Sequence, residues 1–214
     1  MPVSDSTSIL PGTAENPDSG YRSRYSHDEE HPEPGKYTVK LLDYNILAEI
    51  SATERAAIHR YTYPKSDFNA VIIDLEHGND GGCSILKEES SDIVREASIR
   101  IVDNRTIEGY RISDGWAKGQ HVYFTARFSE PFQVTYLFDG ENLVNRQSIL
   151  SRQSRAMLKF NNLSKPLTIK VGISSVDNEG SLNNLEAEIP GWDLDQVASD
   201  AKAKWNKEFQ KFKI

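Results

Sequence analysis

The chain has 214 residues, of which 37% are hydrophobic and 27% charged, and this composition is typical of a globular protein that can bury a core rather than of a disordered chain. Its 25 basic and 32 acidic residues give a net charge of −7, which repels a nucleic-acid backbone and makes a neutral ligand such as a sugar the better candidate. No stretch approaches the ~20 consecutive apolar residues of a spanning helix, and the first residues lack the basic and apolar regions of a secretory signal.

Residues 1–36 form a segment rich in proline and glycine. It holds five of the nine prolines and shows no sustained apolar period. Because proline fixes φ and cannot donate a backbone hydrogen bond, such a segment favours an extended path. We therefore predict an extended lead-in that packs along the surface of the domain.

From Lys36 onward, apolar and polar residues alternate with period two. Residues 37–41 and 46–50 alternate on either side of Asp43-Tyr44-Asn45, which predicts a hairpin. Further short runs with a strand pattern are 57–63, 71–75, 98–102, 106–112, 121–128, 133–138, 156–160 and 167–173. About ten short strands, with turn signals such as Asp139-Gly140 between them and no internal repeat, predict a mainly β fold. We expect an antiparallel β-sandwich of the supersandwich type over residues 37–176.

The pattern changes to a helical period near the C-terminus. Residues 181–188 predict a short helix, Pro190-Gly191 interrupts it, and Asp193 is a candidate N-cap for a longer amphipathic helix. The apolar residues at helical spacing are Leu194, Val197, Ala198, Ala201, Trp205, Phe209 and Phe212. We expect residues 177–214 to form a helical linker whose apolar stripe lies on the sandwich or faces a further domain. Trp192 and Trp205 are interpreted as its packing residues.

Motifs of nucleophilic catalysis, phosphate binding and helical zinc binding are missing from the sequence. The single cysteine, Cys83, lies in a Gly-rich segment near His77 and is interpreted as an ordinary loop residue. Residues 76–82 carry oxygen and nitrogen ligands but lack the alternation of a calcium loop, so we interpret them as a flexible connection. We predict neither a catalytic nor a metal-binding residue in this chain.

One residue is a candidate for substrate binding. Trp116 falls in the turn Ser113-Asp114-Gly115-Trp116-Ala117, where an indole ring can stack on the apolar face of a sugar, although core packing is the more common role of a tryptophan. His59 and Arg60 are adjacent in a predicted strand, so their side chains should lie on opposite faces and at most one can line a cleft.

Several stretches, in order along the chain, resemble the N-terminal domain of glycoside hydrolase family 92. The most distinctive are Gly20-Tyr21-Arg22-Ser23-Arg24-Tyr25-Ser26-His27, His59-Arg60-Tyr61-Thr62-Tyr63-Pro64 and Ile189-Pro190-Gly191-Trp192. Residues 34–37, 52–55, 109–111, 115–117, 122–124, 171–176 and 184–188 agree as well. The resemblance covers nearly all of the chain from Gly20 onward.

The resemblance implies a function for a longer protein. Members of that family are calcium-dependent, inverting exo-α-mannosidases in which a helical (α/α)-barrel follows the β-sandwich and holds the general acid, the general base and the main calcium ligands. It therefore implies that Ca²⁺ is bound mainly by a catalytic domain missing from this chain, and that this chain alone is inactive. It implies α-mannosides such as N-glycan or mannan oligosaccharides as substrates, and a periplasmic or secreted location. A stand-alone carbohydrate-binding β-sandwich that uses Trp116 is the alternative.

Overall fold

A computed structural model describes residues 1–4, 8–13, 15–77, 93–115 and 117–211 of the chain. Of the residues singled out in the sequence, Cys83, Trp116 and Phe212 lie outside this part, as does the predicted flexible connection after His77. The predictions made for these residues therefore stay predictions.

The described residues form two antiparallel sheets and two α-helices. The strands are β1 (Pro2–Ser4), β2 (Glu30–Glu33), β3 (Lys36–Leu41), β4 (Ile46–Ala52), β5 (Ala56–Thr62), β6 (Asn69–Asp74), β7 (Ile93–Ile101), β8 (Thr106–Asp114), β9 (Gln120–Phe128), β10 (Val134–Asp139), β11 (Asn142–Val144), β12 (Ser148–Leu150), β13 (Ser154–Phe160) and β14 (Leu167–Ser174). One sheet has the order β1-β6-β13-β10-β11, and the other β12-β7-β8-β9-β14-β5-β4-β3-β2. The prediction of a mainly β, antiparallel sandwich with a C-terminal helix is confirmed.

The nine-stranded sheet is covered on both faces over part of its width. In β4, Ile46 and Ala48 belong to the core between the two sheets, whereas Glu49 and Ser51 lie on the opposite face. The central core is aromatic at one end, where the rings of Phe128, Phe132 and Phe160 pack within 5.7 to 6.2 Å of one another. Because successive side chains of a strand point to opposite faces, β4 buries apolar residues on one side and polar residues on the other.

Two edge strands lie within the segment that the sequence predicts to be an extended lead-in. Strand β1 pairs with β6, with Pro2 opposite Val71, and β2 pairs with β3, with Pro32 opposite Tyr37. Each lies at the edge of its sheet, where proline is tolerated because one side of the strand needs no hydrogen-bond donor. Strands of three or four residues are too short to show a period in the sequence.

Helices α1 (Asn178–Glu188) and α2 (Leu194–Phe209) lie on the outer face of the nine-stranded sheet. Helix α1 begins three residues before the predicted start, because the side chain of Asp177 accepts a hydrogen bond from the backbone N–H of Gly180. Asp193 caps α2 as predicted, accepting from the backbone N–H groups of Asp195 and Gln196. The two helices and β5 share a small apolar cluster, which consists of Ala56, Ile58, Leu185, Ile189 and Leu194.

The apolar stripe of α2 is only partly covered. Leu194 and Ala198 are buried, but Trp205 and Phe209 are 53% and 56% exposed and stack on each other with ring centroids 5.7 Å apart. Trp192 is 43% exposed. The interpretation of Trp205 as a packing residue is therefore wrong, because its ring stacks on Phe209 of the same helix and is half exposed. Trp192 lies in the turn between the helices, and one face of its ring packs against the Lys170 ammonium group.

Candidate functional site

A cleft rich in charged and polar side chains lies at one end of the five-stranded sheet. It has a volume of about 570 Å³ and lies between the segment that precedes β2 and the ends of β6, β10 and β13. We call it the Arg155 cleft. Its lining residues are Leu10, Pro11, Gly12, Thr13, Ser19, Glu76, His77, Asp139, Gly140, Glu141, Asn142, Gln153 and Arg155.

A buried guanidinium group forms the floor of this cleft. Arg155 is 2% exposed and lies opposite Asp74 in the pairing of β13 with β6. Its Nε donates to Asp74 Oδ2 at 3.0 Å, one terminal nitrogen donates to the carbonyl of Gly140 at 3.0 Å, and the other pairs with Glu76. A charge this deeply buried persists only when it is paired and fully hydrogen-bonded, so the two carboxylates and the carbonyl fix Arg155 in place.

Asp74 connects the strand to the segment that follows it. Its Oδ1 accepts from the backbone N–H groups of Glu76 and His77 at 2.8 and 3.1 Å, and its Oδ2 accepts from the Tyr21 hydroxyl at 3.0 Å. Burial alone would raise the pKa of Asp74, but the hydrogen bonds from Arg155 and His77 outweigh it and lower the pKa below its ordinary value. Asp74 is therefore held as a carboxylate.

His77 is oriented by this carboxylate. Its Nδ1 lies 2.8 Å from Asp74 Oδ2, and its side chain is 35% exposed beside the cleft. A carboxylate on one ring nitrogen fixes the tautomer and the orientation of an imidazole, which leaves the other nitrogen to a ligand. The cleft thus presents a fixed imidazole, a paired cation and several amide and carboxylate groups, a set suited to hydroxyl groups of a polar ligand.

Gly20 and Tyr21 hold the outer wall of the cleft in position. A Cβ at Gly20 would lie 2.0 Å from the backbone nitrogen of Gly12, so only glycine allows the two segments to approach this closely. The next residue, Tyr21, donates its backbone N–H to the carbonyl of Leu10 at 2.7 Å and its hydroxyl to Asp74. Burial, followed by the charge of Asp74, raises the pKa of Tyr21.

Of the residues discussed from the sequence alone, Glu76 and His77 line this cleft, although the sequence indicates only a flexible connection at their positions. His59 and Arg60 lie on opposite faces of β5 as expected, and neither lines the cleft. His59 bonds the Tyr61 hydroxyl at 2.8 Å, and burial lowers its pKa to about 4. Arg60 bonds Glu49 and the first turn of α2.

Sequence reasoning missed Asp74 and Arg155, which are 81 positions apart in the chain. The one available signal is an aspartate at the end of an apolar run, immediately before the polar segment that begins at Glu76. Arg155 is identified as the partner of this aspartate only by the register of β6 and β13, and no periodicity in the sequence specifies that register.

No group of three His, Cys, Asp or Glu side chains that could hold a metal ion occurs within residues 1–77, 93–115 and 117–211 as far as they are described. The same part of the chain contains no helix long and apolar enough to cross a membrane.

Comparison with known families assigns most of the chain to one family. A sequence model described as the glycosyl hydrolase family 92 N-terminal domain matches residues 1–174. The chain therefore belongs to glycosyl hydrolase family 92, and it contains the N-terminal domain of that family.

Solved structures agree with this assignment. A family GH92 α-mannosidase from Bacteroides thetaiotaomicron, also solved in complex with mannoimidazole, is 32% identical, and it superposes over 100% of this chain and 28% of its own with a TM-score of 0.88. A second mannosidase of that bacterium, described as inverting, is 21% identical, with 97% of this chain and 25% of its own covered and a TM-score of 0.73, which supports the fold alone.

A protein described as an uncharacterized secreted glycosidase, from Arthroderma benhamiae, is 24% identical over 85% of this chain and 25% of its own length. The chain thus spans about a quarter of the length of the relatives that it matches.

Proposed function

We propose that the chain is the non-catalytic N-terminal domain of a calcium-dependent, inverting exo-α-mannosidase, and that the Arg155 cleft forms part of the wall of its sugar site. The observation that carries the proposal is the fixed arrangement of His77, Asp74 and Arg155 in an open polar cleft of a glycosidase domain. α-Mannosides, including N-glycan or mannan oligosaccharides, are the proposed substrates. The solved α-mannosidases that this chain resembles support that choice.

Two carboxylates of the cluster, Asp74 below the cleft and Glu76 in its lining, are better suited to positioning than to catalysis. Inverting glycosidases need one protonated acid and one carboxylate base about 6.5 to 9.5 Å apart, with room for a water molecule. Asp74 has a lowered pKa and accepts several hydrogen bonds, and Glu76 is held by Arg155 and by the side-chain amide of Gln153. Because both are occupied by fixed donors, we assign the acid and the base to a separate catalytic domain.

The uncovered half of α2 is the surface that we propose for contact with that domain. Trp205 lies beside a groove of about 560 Å³ that also includes Thr53, Glu54 and Ala201. Exposed aromatic rings beside a groove are typical of an interaction surface. In the proposed protein the calcium ion is bound mainly by the other domain. The proposed location is periplasmic or secreted, and the name of the fungal relative, a secreted glycosidase, supports the second of these. A stand-alone carbohydrate-binding module is not favoured, because the chain belongs to a hydrolase family.

Activity measurements test this function. The 214-residue chain alone should release no mannose from an aryl α-mannoside, whereas a protein that joins it to the proposed catalytic domain should. In the joined protein, His77→Ala should lower kcat/KM about tenfold, because one fixed hydrogen bond to the sugar is lost. The matched control is His27→Ala, at a side chain that is 86% exposed and does not line the cleft.

Two results would contradict the proposal. Release of mannose by the 214-residue chain alone would show that it carries its own catalytic residues. Equal activity of the His77→Ala and His27→Ala proteins would remove the cleft from the sugar site.

A further inference from the structure

A second cleft shares no lining residue with the Arg155 cleft. It has a volume of about 660 Å³ and is formed by the turn between β7 and β8, the end of β9 and the turn between α1 and α2. Its lining residues are Asp103, Asn104, Arg105, Thr106, Arg127, Phe128, Ser129 and Trp192. We call it the Trp192 cleft.

The indole ring of Trp192 is fixed from one side by a buried cation. The ammonium group of Lys170 lies 4.6 Å from the ring centroid, and Lys170 is itself only 2% exposed. That ammonium donates to the carbonyls of Ile189 and Pro190 at 2.8 and 3.3 Å, which fixes the turn that carries the ring. Because Trp192 is nevertheless 43% exposed, the area open to a ligand belongs to the opposite face and the edge of the ring.

The groups around the ring are polar, and their charges are balanced. Asp103 and Asn104 are exposed in the turn, and the Asp103 carboxylate is held by the backbone N–H of Arg105 at 2.6 Å. The Arg105 guanidinium donates to the carbonyl of Ser129, and the Arg127 guanidinium pairs with Glu186 on α1. Since both arginines already have partners and two carboxylates offset their charge, the cleft favours a neutral ligand over an anion.

We propose that the Trp192 cleft is a saccharide-binding subsite, separate from the sugar site assigned above. The exposed face of the indole stacks on the apolar face of a sugar ring, and Asp103 and Asn104 hydrogen-bond its hydroxyl groups. A rigid aromatic surface beside fixed polar groups is the combination that such a ligand requires, and the ordering of Trp192 by Lys170 lowers the conformational cost of binding. This inference does not depend on the function proposed for the Arg155 cleft.

The experiment is an NMR titration of the ¹⁵N-labelled 214-residue chain with mannotriose, with maltotriose and inorganic phosphate as comparison ligands. The indole N–H signal of Trp192, assigned from a Trp192→Phe variant, and the amide signals of residues 103–106 should shift with mannotriose. Trp192→Ala should weaken binding about tenfold. Trp205→Ala is the matched control, since this tryptophan is also half exposed but lies outside the cleft, and it should leave the affinity unchanged.

Substitutions of turn residues that line the cleft provide a second test if the Trp192→Ala variant does not fold. Asp103→Ala and Asn104→Ala change exposed turn residues, and each should weaken binding about threefold to tenfold. The inference is overturned if mannotriose and maltotriose leave the Trp192 signal unmoved, if phosphate shifts it and the sugars do not, or if Trp205→Ala weakens binding as much as Trp192→Ala. The NMR signals report binding at the Trp192 cleft and not at the Arg155 cleft. A negative NMR result would therefore contradict only this inference, whereas a negative mannosidase result would contradict only the proposed function.

Discussion

Arg155 holds together groups that lie far apart in the sequence. It bonds Asp74 and Glu76 at the end of β6 and the Gly140 carbonyl between β10 and β11. None of these contacts follows from the local pattern around Arg155, which is that of a buried strand. The strand itself is predictable from the sequence over residues 156–160, but the charged residue at its start obtains its role only through pairing with β6.

Removing the Arg155 charge should destabilise the domain strongly. Arg155→Met removes the buried cation that pairs with Asp74, and breaking a buried ion pair in this way typically costs about 3 to 5 kcal/mol. Urea unfolding at neutral pH measures the loss. The control is Arg100→Met, which removes the largely exposed ion pair with Glu108 and should change the free energy of unfolding by less than about 1 kcal/mol. Equal effects of the two substitutions would contradict the assignment of Arg155 as the centre of the cluster.

His59 gives the domain a pH-dependent stability. Its pKa is lowered by burial from 6.5 to about 4, so the folded state binds fewer protons than the unfolded state between these two values. The free energy of unfolding should therefore fall as the pH falls from 6.5 toward 4, by at most about 3 kcal/mol. Urea unfolding across this range should show a flatter dependence in a His59→Gln variant, and an unchanged slope would contradict the prediction.

At the scale of elements, the sequence predicts the strands and helices that show a clear hydrophobic period. It does not predict strands of three residues or the packing of a helix closely against the sheet. The hairpin of β3 and β4 is predictable because apolar and polar residues alternate on either side of a turn, although burial itself alternates along neither strand throughout. Strands β11 and β12, with three residues each, carry no period and were not predicted. The positions of the helices on the sheet also cannot be inferred from a pattern, because they depend on how closely two backbones approach.

Gly172 on β14 illustrates such an approach. A Cβ at this position would lie 2.2 Å from the carbonyl oxygen of Ser181 in α1. Gly172→Ala should push α1 away from the sheet and lower the free energy of unfolding by about 1 to 3 kcal/mol. Gly191→Ala, where nothing lies within 4 Å of the added atom, should change it by less than about 0.5 kcal/mol. Calorimetry of both variants checks the difference, and similar unfolding temperatures would show that α1 is not packed in this way.

At the scale of the whole molecule, the family is identified from sequence stretches in order along the chain, whereas the two clefts require the structure. The Arg155 cleft combines residues from the first 20 positions with others beyond position 150, and the Trp192 cleft combines a strand turn with a helix turn. Trp116, the residue that the sequence favours for sugar binding, stays a prediction because it lies outside the described residues.

The exposed aromatic pair on α2 leads to a prediction about association. Trp205→Ala should leave the free energy of unfolding of the 214-residue chain within about 0.5 kcal/mol, since the ring is half exposed. In the proposed two-domain enzyme, the same substitution should weaken the domain contact and lower the melting temperature of the whole protein. Differential scanning calorimetry of both proteins measures this contrast. A large loss of stability in the 214-residue chain, or no loss in the enzyme, would contradict the proposed contact surface.

The first turn of α2 is tied to the sheet by a network of charges. Asp195 bonds Arg60 at 2.8 Å and Lys36 at 3.3 Å, and Glu49 bonds both of these cations from β4. The opposite end of the same helix extends beyond the sheet. The ion pairs would thus fix the orientation of a domain connected to this end of the helix relative to the sandwich. The connection raises the effective concentration of one domain at the other, so that a contact too weak to hold two separate proteins together can hold two domains of one chain together.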